Sequence, residues 1–225
     1  MLLAIDTSTA LTGIACYDES GLLGECTWYS DRNHTAQVLP QVQLLFEHLR
    51  RSPANLQAVA VALGPGSWSG LRVGLSLAKG LALAGGLALI GVGTLDTLAY
   101  QHQRPFMPIF PIIRLGRSRF ATAEFLAANE WQRLSDYRNV TIQELCASVT
   151  DHALFCGDID AEMQEQISTS VSVQTYFPSA PAALRRAGFL ASLGWERFVT
   201  NDWDDIASLE PIYLGEPIKE KKQEE

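Results

Sequence analysis

Several things are scarce in this sequence. Its 225 residues carry four cysteines and four histidines, and positive charge is the minority, with 17 Lys and Arg against 25 Asp and Glu for a formal net charge of −8. The cysteines Cys16, Cys26, Cys146 and Cys156 form no C-x-x-C pair, which removes the common zinc and dithiol patterns. Reduced core thiols in a cytosolic chain are the expectation; a cross-strand approach of Cys16 and Cys26 is the alternative. His34, His48, His102 and His152 make neither His-x-x-x-His nor His-Glu-x-x-His, so no helix-borne metal pair is present. A G-x-S-x-G nucleophile elbow is missing too, because Trp68 holds the central place of Gly66-Ser67-Trp68-Ser69-Gly70. The shortage of clustered Lys and Arg argues against a broad phosphate-gripping surface. Residues 80–95 are uncharged, but a membrane span needs about 20 residues and Gly85-Gly86 interrupts this one. Met1-Leu2-Leu3-Ala4-Ile5 runs into Asp6 without the basic flank of a signal peptide.

What is present is a folding chain. Hydrophobic residues make up 47%, which excludes disorder, and the length suits one large or two small domains. Leu2 to Asp6, Thr12 to Tyr17 and Leu23 to Tyr29 read as three successive strands joined by short polar loops. Loops this short join only antiparallel neighbours, so the opening is strand-strand-strand-helix, unlike a Rossmann domain. The spacing of Val38, Val42, Leu45, Phe46 and Leu49 predicts a helix over about 35–50, with Pro40 inside it. Ala58 to Leu63 is a buried strand, Leu71 to Ala84 a helix, Ala88 to Val92 a strand, Leu95 to Gln101 a helix and Pro108 to Ile113 a strand. The order βββαβαβα calls for an α/β protein with mixed sheets flanked by helices. Beyond a boundary near Arg104 to Phe106 the expected elements are a strand over Arg119 to Leu126, a helix over Thr141 to Ala147, a strand over Ala153 to Cys156 and a long helix over Ala180 to Arg197. This gives lobes of residues 1–104 and 105–217 and a charged tail, 218–225.

Two places could carry chemistry. Gly64-Pro65-Gly66-Ser67-Trp68-Ser69-Gly70 lies between a buried strand and a helix, where backbone N–H groups and the helix dipole favour an anion. Gly64, Gly66, Ser67 and Gly70 would line it, and Arg72 in the first turn would add charge. The spacing matches neither a Walker loop nor G-x-G-x-x-G, and the glycines are equally suited to a tight turn and close helix packing. Asp6 ends the first strand ahead of Thr7, Ser8 and Thr9; it could hold a magnesium-bound water beside a phosphate, or form an ordinary turn. His34, just before a helix, reads as a surface or N-terminal residue.

At this point the words fit a family. Leu3-Ala4-Ile5-Asp6-Thr7-Ser8-Thr9, His34 before a helix with Leu39-Pro40, Ala62-Leu63-Gly64-Pro65-Gly66-Ser67-Trp68-Ser69-Gly70-Leu71-Arg72-Val73-Gly74, Ile90-Gly91-Val92-Gly93-Thr94-Leu95 and Glu210-Pro211-Ile212-Tyr213-Leu214 together resemble the bacterial TsaB (YeaZ) family. The resemblance implies an actin-like, sugar-kinase-like (ASKHA) fold of two lobes. It also implies a cytoplasmic, non-catalytic role in making N6-threonylcarbamoyladenosine in tRNA, beside a TsaD-type transferase and a TsaE-type ATPase, with tRNA met through the complex. No intrinsic cofactor is expected, though ATP or ADP could sit at the partner interface. The free chain could pair with a second copy of itself, which the sequence does not decide. Partner binding is expected on the first two long helices, through Val38, Val42, Leu45 and Leu49 of one and Leu71, Gly74, Leu75, Ala78 and Ala82 of the other; the alternative is that both stripes pack on their own sheet. The chain departs from the family pattern at Arg114 and Gly116, where an Asp-x-Arg segment is usual, and at Gly215, where Leu-Arg is usual. Arg114, Arg117 and Arg119 form the one basic cluster. Competing functions are a self-sufficient phosphotransferase, which would need a second phosphate loop between Met107 and Tyr213, and a peptidase, for which no catalytic set is present.

Overall fold

The computed structural model describes residues 1–31, 33–128 and 130–214; Gly215 and the tail 218–225 lie outside them. The chain opens with β1 (Leu2–Asp6), β2 (Leu11–Asp18) and β3 (Gly21–Tyr29), followed by α1 (His34–Leu49), β4 (Ala58–Ala62), α2 (Trp68–Gly85), β5 (Ala88–Val92) and α3 (Thr94–Gln101). These strands form one five-stranded sheet in the order β3-β2-β1-β4-β5. The β1, β2 and β3 pairings are antiparallel, while β1 with β4 and β4 with β5 run parallel. The expected strand-strand-strand-helix opening is the observed one.

The sheet is covered on both faces, which is why its central strands read as continuous apolar runs instead of alternating ones. Side chains still alternate by position. Leu3, Ile5, Val59 and Val61 join α1 and α2 in one core, and Leu2, Ala4, Ala58, Ala60 and Ala62 join α6 (Ala187–Val199) in another. The second face is built from alanines because α6 comes close: a Cβ on Gly194 would lie 2.6 Å from the Ala60 Cβ, and one on Gly13 3.0 Å from that of Ala187. This helix, which a division at residue 104 places in the second lobe, therefore packs on the first sheet. The segment after it does the same, with Asp204 N donating to Leu89 O at 2.9 Å and Ile212 N to Leu63 O at 2.8 Å.

The second sheet has β6 (Ile109–Arg114), β7 (Phe120–Thr122), β8 (Phe125–Ala127), β9 (Trp131–Arg133), β10 (Arg138–Val140), β11 (Ala153–Gly157) and β12 (Thr175–Tyr176). Its main path is β10-β7-β6-β11-β12, with β8 and β9 attached beside β6. Helices α4 (Ile142–Ser148) and α5 (Ala161–Ser170) share a core with one face, and α3 with the other. The strand expected over Arg119 to Leu126 is two strands, β7 and β8, interrupted at Ala123-Glu124. The helix expected from Ala180 starts at Ala187. Together the two mixed sheets, each covered by helices, make the expected α/β architecture.

Two short helices are fixed at their starts by local chemistry. Thr141 and Glu144 form a reciprocal capping box on α4, and the Asp160 carboxylate accepts from Met163 N at 2.9 Å on α5.

Candidate functional site

The loop after β1 and the loop between β4 and α2 meet at the C-terminal ends of the parallel strands. Asp6 is buried there, but its carboxylate is not free. Oδ1 accepts from the backbone N of Ser8 at 2.9 Å and from Ser8 Oγ at 2.6 Å, and Oδ2 accepts from Arg185 Nε at 2.7 Å. Arg185 Nη2 also donates to Thr9 Oγ1 at 2.6 Å. Side-chain exposure of this ion pair is 6% for Arg185 and 4% for Asp6. In the place of a magnesium-bound water, Asp6 holds a guanidinium brought from the other end of the chain.

The Gly-rich loop is closed against the first loop. Ser67 N donates to Ser8 O at 2.7 Å, and Thr7 Oγ1 donates to Gly70 O at 2.7 Å. A Cβ on Gly66 would overlap Ser8 O, one on Gly70 would overlap Thr7 O, and one on Gly74 would overlap Thr7 Oγ1. Three of the glycines thus let α2 settle on the strand end of β1. Gly64 has a φ of +103°, a left-handed conformation in which a side chain would also strike Ile212 O and Leu71. Ser67 caps α2, its Oγ accepting from Gly70 N at 3.4 Å. These contacts are those of a tight turn and close helix packing. The Arg72 guanidinium sits 3.7 Å over the Trp68 ring and lines a hollow with Glu210 and Tyr213, so its charge is spent on the outer side of the helix.

His34 is buried, not a surface residue. Its Nδ1 lies 2.7 Å from Thr12 Oγ1 and 2.9 Å from Ser30 Oγ, and burial pushes its pKa below the ordinary value, partly offset by Asp6. In the basic cluster, Arg119 is tied to Asn139 and to Glu144 at 3.2 Å, and Arg114 to Asp160 at 3.0 Å. Among the described residues, no group of three or more His, Cys, Asp or Glu side chains is placed to hold a metal ion, and no helix is long and apolar enough to cross a membrane. All four cysteines are free; Cys26 pairs in register with Ile14 and Cys16 with Gly24, so the two stand diagonal to each other.

The helix stripes face inward. Val38, Val42, Leu71, Gly74, Leu75, Ala78 and Ala82 are all buried, and Leu45 and Leu49 lie over β3, where a Cβ on Gly24 would meet both. These residues are therefore corrected from a partner interface to the underside of α1 and α2. The physical reason is that small residues on α2 admit a sheet as readily as a helix, and the Thr7 and Val61 side chains stand beneath Gly74. The outer face carries other residues: Leu39, Leu44, Trp68 and Leu83 are 50%, 45%, 58% and 70% exposed. Of these, Leu39 lines a groove of about 600 Å³ together with Pro40, Val42, Phe46, Leu56 and Leu81.

Sequence reasoning missed Arg185, whose partner is 179 residues away. The only available signal was an Arg185-Arg186 pair at the edge of an apolar helix. Fold and site define a class: an α/β protein of two mixed sheets whose Gly-rich loop is closed upon its own side chains. A family model described as TsaD, tRNA N6-adenosine threonylcarbamoyltransferase, matches residues 27–192. The tRNA threonylcarbamoyladenosine biosynthesis protein TsaB of Bacillus subtilis is 29% identical over 217 residues, 95% of this chain and 93% of that protein. An uncharacterised protein of Mycobacterium tuberculosis is 36% identical over 219 residues, 96% of this chain and 92% of its own. The structure of YeaZ from Pseudomonas aeruginosa shares the fold at a TM-score of 0.78 and 19% identity, covering 95% of this chain and 99% of that one. The chain belongs to the TsaB (YeaZ) family.

Proposed function

We propose that the chain acts in forming N6-threonylcarbamoyladenosine in tRNA as a non-catalytic partner subunit, holding a TsaD-type transferase and a TsaE-type ATPase. The pathway is the one named for its near-full-length relative from Bacillus subtilis. One observation carries the non-catalytic part: the Asp6 carboxylate at the loop junction is paired with Arg185 and accepts two hydrogen bonds from Ser8. A phosphotransferase would need that group open to a metal or phosphate. Any ATP or ADP in the assembly would sit at the partner interface.

The surface suited to the transferase is the outer face of α1 and α2. Exposed leucines on two neighbouring helices beside an apolar groove call for a helical cover; a second copy of the chain would compete for the same face when the transferase is absent. Reconstitution with purified components tests the proposal. Modified tRNA is expected only when this chain and the transferase are both present, and none from this chain with the ATPase alone. Threonylcarbamoyl transfer by this chain without the transferase, or full turnover without this chain, would contradict it.

A further inference from the structure

The two edges of the first sheet differ. Along β5, Leu89 O accepts from Asp204 N at 2.9 Å, Gly91 N donates to Asp204 Oδ2 at 2.7 Å and Gly91 O accepts from Arg197 Nη1 at 2.7 Å. The chain beyond α6 thus closes that side. Along β3 no such cover is found among the described residues. Its neighbour β2 buries five of eight residues, whereas none of the nine residues of β3 is buried.

The register shows which backbone groups are left over. Ser30 N donates to Ala10 O at 2.9 Å, and in the same register Trp28 lies opposite Thr12 and Cys26 opposite Ile14. Bonded and non-bonded positions alternate along an antiparallel pair. Cys26 and Trp28 therefore bond β2, and Glu25, Thr27 and Tyr29 turn their N–H and C=O groups outward. Among the described residues none of these groups has a hydrogen-bond partner. Natural edge strands are guarded by Pro, Lys, an inward charge or a bulge. β3 contains neither Pro nor Lys, its bulge falls at Leu23 before this stretch, and the Glu25 carboxylate is spent on Arg186 and on the backbone N of Gly188.

We propose that this edge is a strand-addition surface for the β3 of a second copy of the chain, paired antiparallel about a two-fold axis at Thr27. Donors and acceptors that alternate along an extended strand are matched by another extended backbone. About this axis Thr27 meets Thr27 of the partner subunit, and Glu25 meets Tyr29 of the partner subunit. Every outward group is then answered, and Thr beside Thr is a favourable cross-strand pair. A register centred on Glu25 would set two carboxylates opposite each other, which is unfavourable. The pairing also covers Tyr29, which is 68% exposed. It uses no residue of α1 or α2, is separate from pairing through those helices, and does not depend on the role in tRNA modification.

Sedimentation equilibrium of the full chain tests it, with a reversible monomer–dimer equilibrium as the expected result. Thr27→Pro removes an N–H that β2 does not use, and the change counts twice across the axis, so dimerisation should weaken by about tenfold or more. Tyr29→Lys, an exposed change that places a guarding charge at the edge, should weaken it too. Leu39→Arg, on the helix face, should leave it unchanged. Amide hydrogen exchange locates the contact: the Thr27 and Tyr29 amides should be protected at high concentration and exchange freely on dilution, while the Trp28 amide stays protected throughout. A chain that remains monomeric at sub-millimolar concentration would overturn the proposal. So would a dimer that Leu39→Arg abolishes while Thr27→Pro and Tyr29→Lys spare it, or one whose formation leaves exchange at Thr27 and Tyr29 unchanged.

Discussion

Replacing Arg185 by Met removes the guanidinium and keeps most of the side-chain length. In the wild type the two charges are 2.7 Å apart, and both side chains are at least 94% buried, from exposures of 6% and 4%. Solvent cannot take over the lost contact. Asp6 would keep the two hydrogen bonds from Ser8 but would lose its counter-charge, and Thr9 Oγ1 would lose one of its two donors. Breaking one side of a buried pair costs about 3–5 kcal/mol. At roughly 2–4 °C of melting temperature per kcal/mol for a chain of this size, the fall is about 6–20 °C. Asp6→Asn combined with Arg185→Met removes both charges and should recover a large part of that loss, because a neutral pair of similar shape avoids the uncompensated carboxylate. Urea unfolding of the wild type, the two single variants and the double variant closes a cycle. A single-variant cost below about 1 kcal/mol, or a double variant as unstable as the sum of the singles, would refute the claim that Arg185 neutralises the site.

Gly70→Ala should destabilise by about 1–3 kcal/mol through overlap with Thr7 O, while Gly80→Ala, with open space around its added Cβ, should stabilise by roughly 0.5–1 kcal/mol; equal effects in urea unfolding would refute the close-approach role. Burial holds the pKa of His34, and burial with Arg104 that of His102, below the ordinary value of 6.5. The unfolded chain then binds protons that the folded one refuses, so stability is full above about pH 6.5 and falls as pH drops below it, by at most about 1.4 kcal/mol per pH unit for each ring. His34→Gln should shallow that slope between pH 6.5 and 5, and an unchanged slope would show that His34 titrates freely. Burial pushes the Cys16 thiol up to about 12 and raises those of Cys146 and Cys156, so a thiol reagent at pH 8 should label half-buried Cys26 first. Equal labelling rates for Cys16 and Cys26 in the native protein would refute it.

The first sheet was readable because its order is a consequence of short connections. Loops after Asp6 and Asp18 force β1, β2 and β3 into antiparallel neighbours, and α1 announces itself by the 3.6-residue period of Val38, Val42 and Phe46. The second half hides its elements. Helix α5, Ala161–Ser170, turns only Met163 and Ile167 inward, too few to mark a period, and β9 and β10 are three residues long. The start of α6 was placed early because Ala180 to Arg186 is apolar and charged in helical fashion, whereas Arg185 and Arg186 are drawn off to Asp6 and Glu25. Periodicity shows that a helix has an apolar face but not what the face meets. Gly74, Ala78 and Ala82 have the spacing of a partner seam, but β1 and β4 lie beneath that stripe. The Asp6–Arg185 pair was beyond reach for a different reason: no local pattern encodes a contact across 179 residues.

The most direct test of the partner role is the affinity of this chain for a TsaD-type transferase with the outer helix face altered. Leu39→Arg and Leu44→Arg change exposed residues of α1, so far-ultraviolet circular dichroism and the urea midpoint should stay at wild-type values. Titration calorimetry should show binding weakened by about tenfold or more in each, since an arginine in a dry helical contact must be desolvated without a partner. Wild-type affinity in both folded variants would contradict the assignment of that face to the transferase.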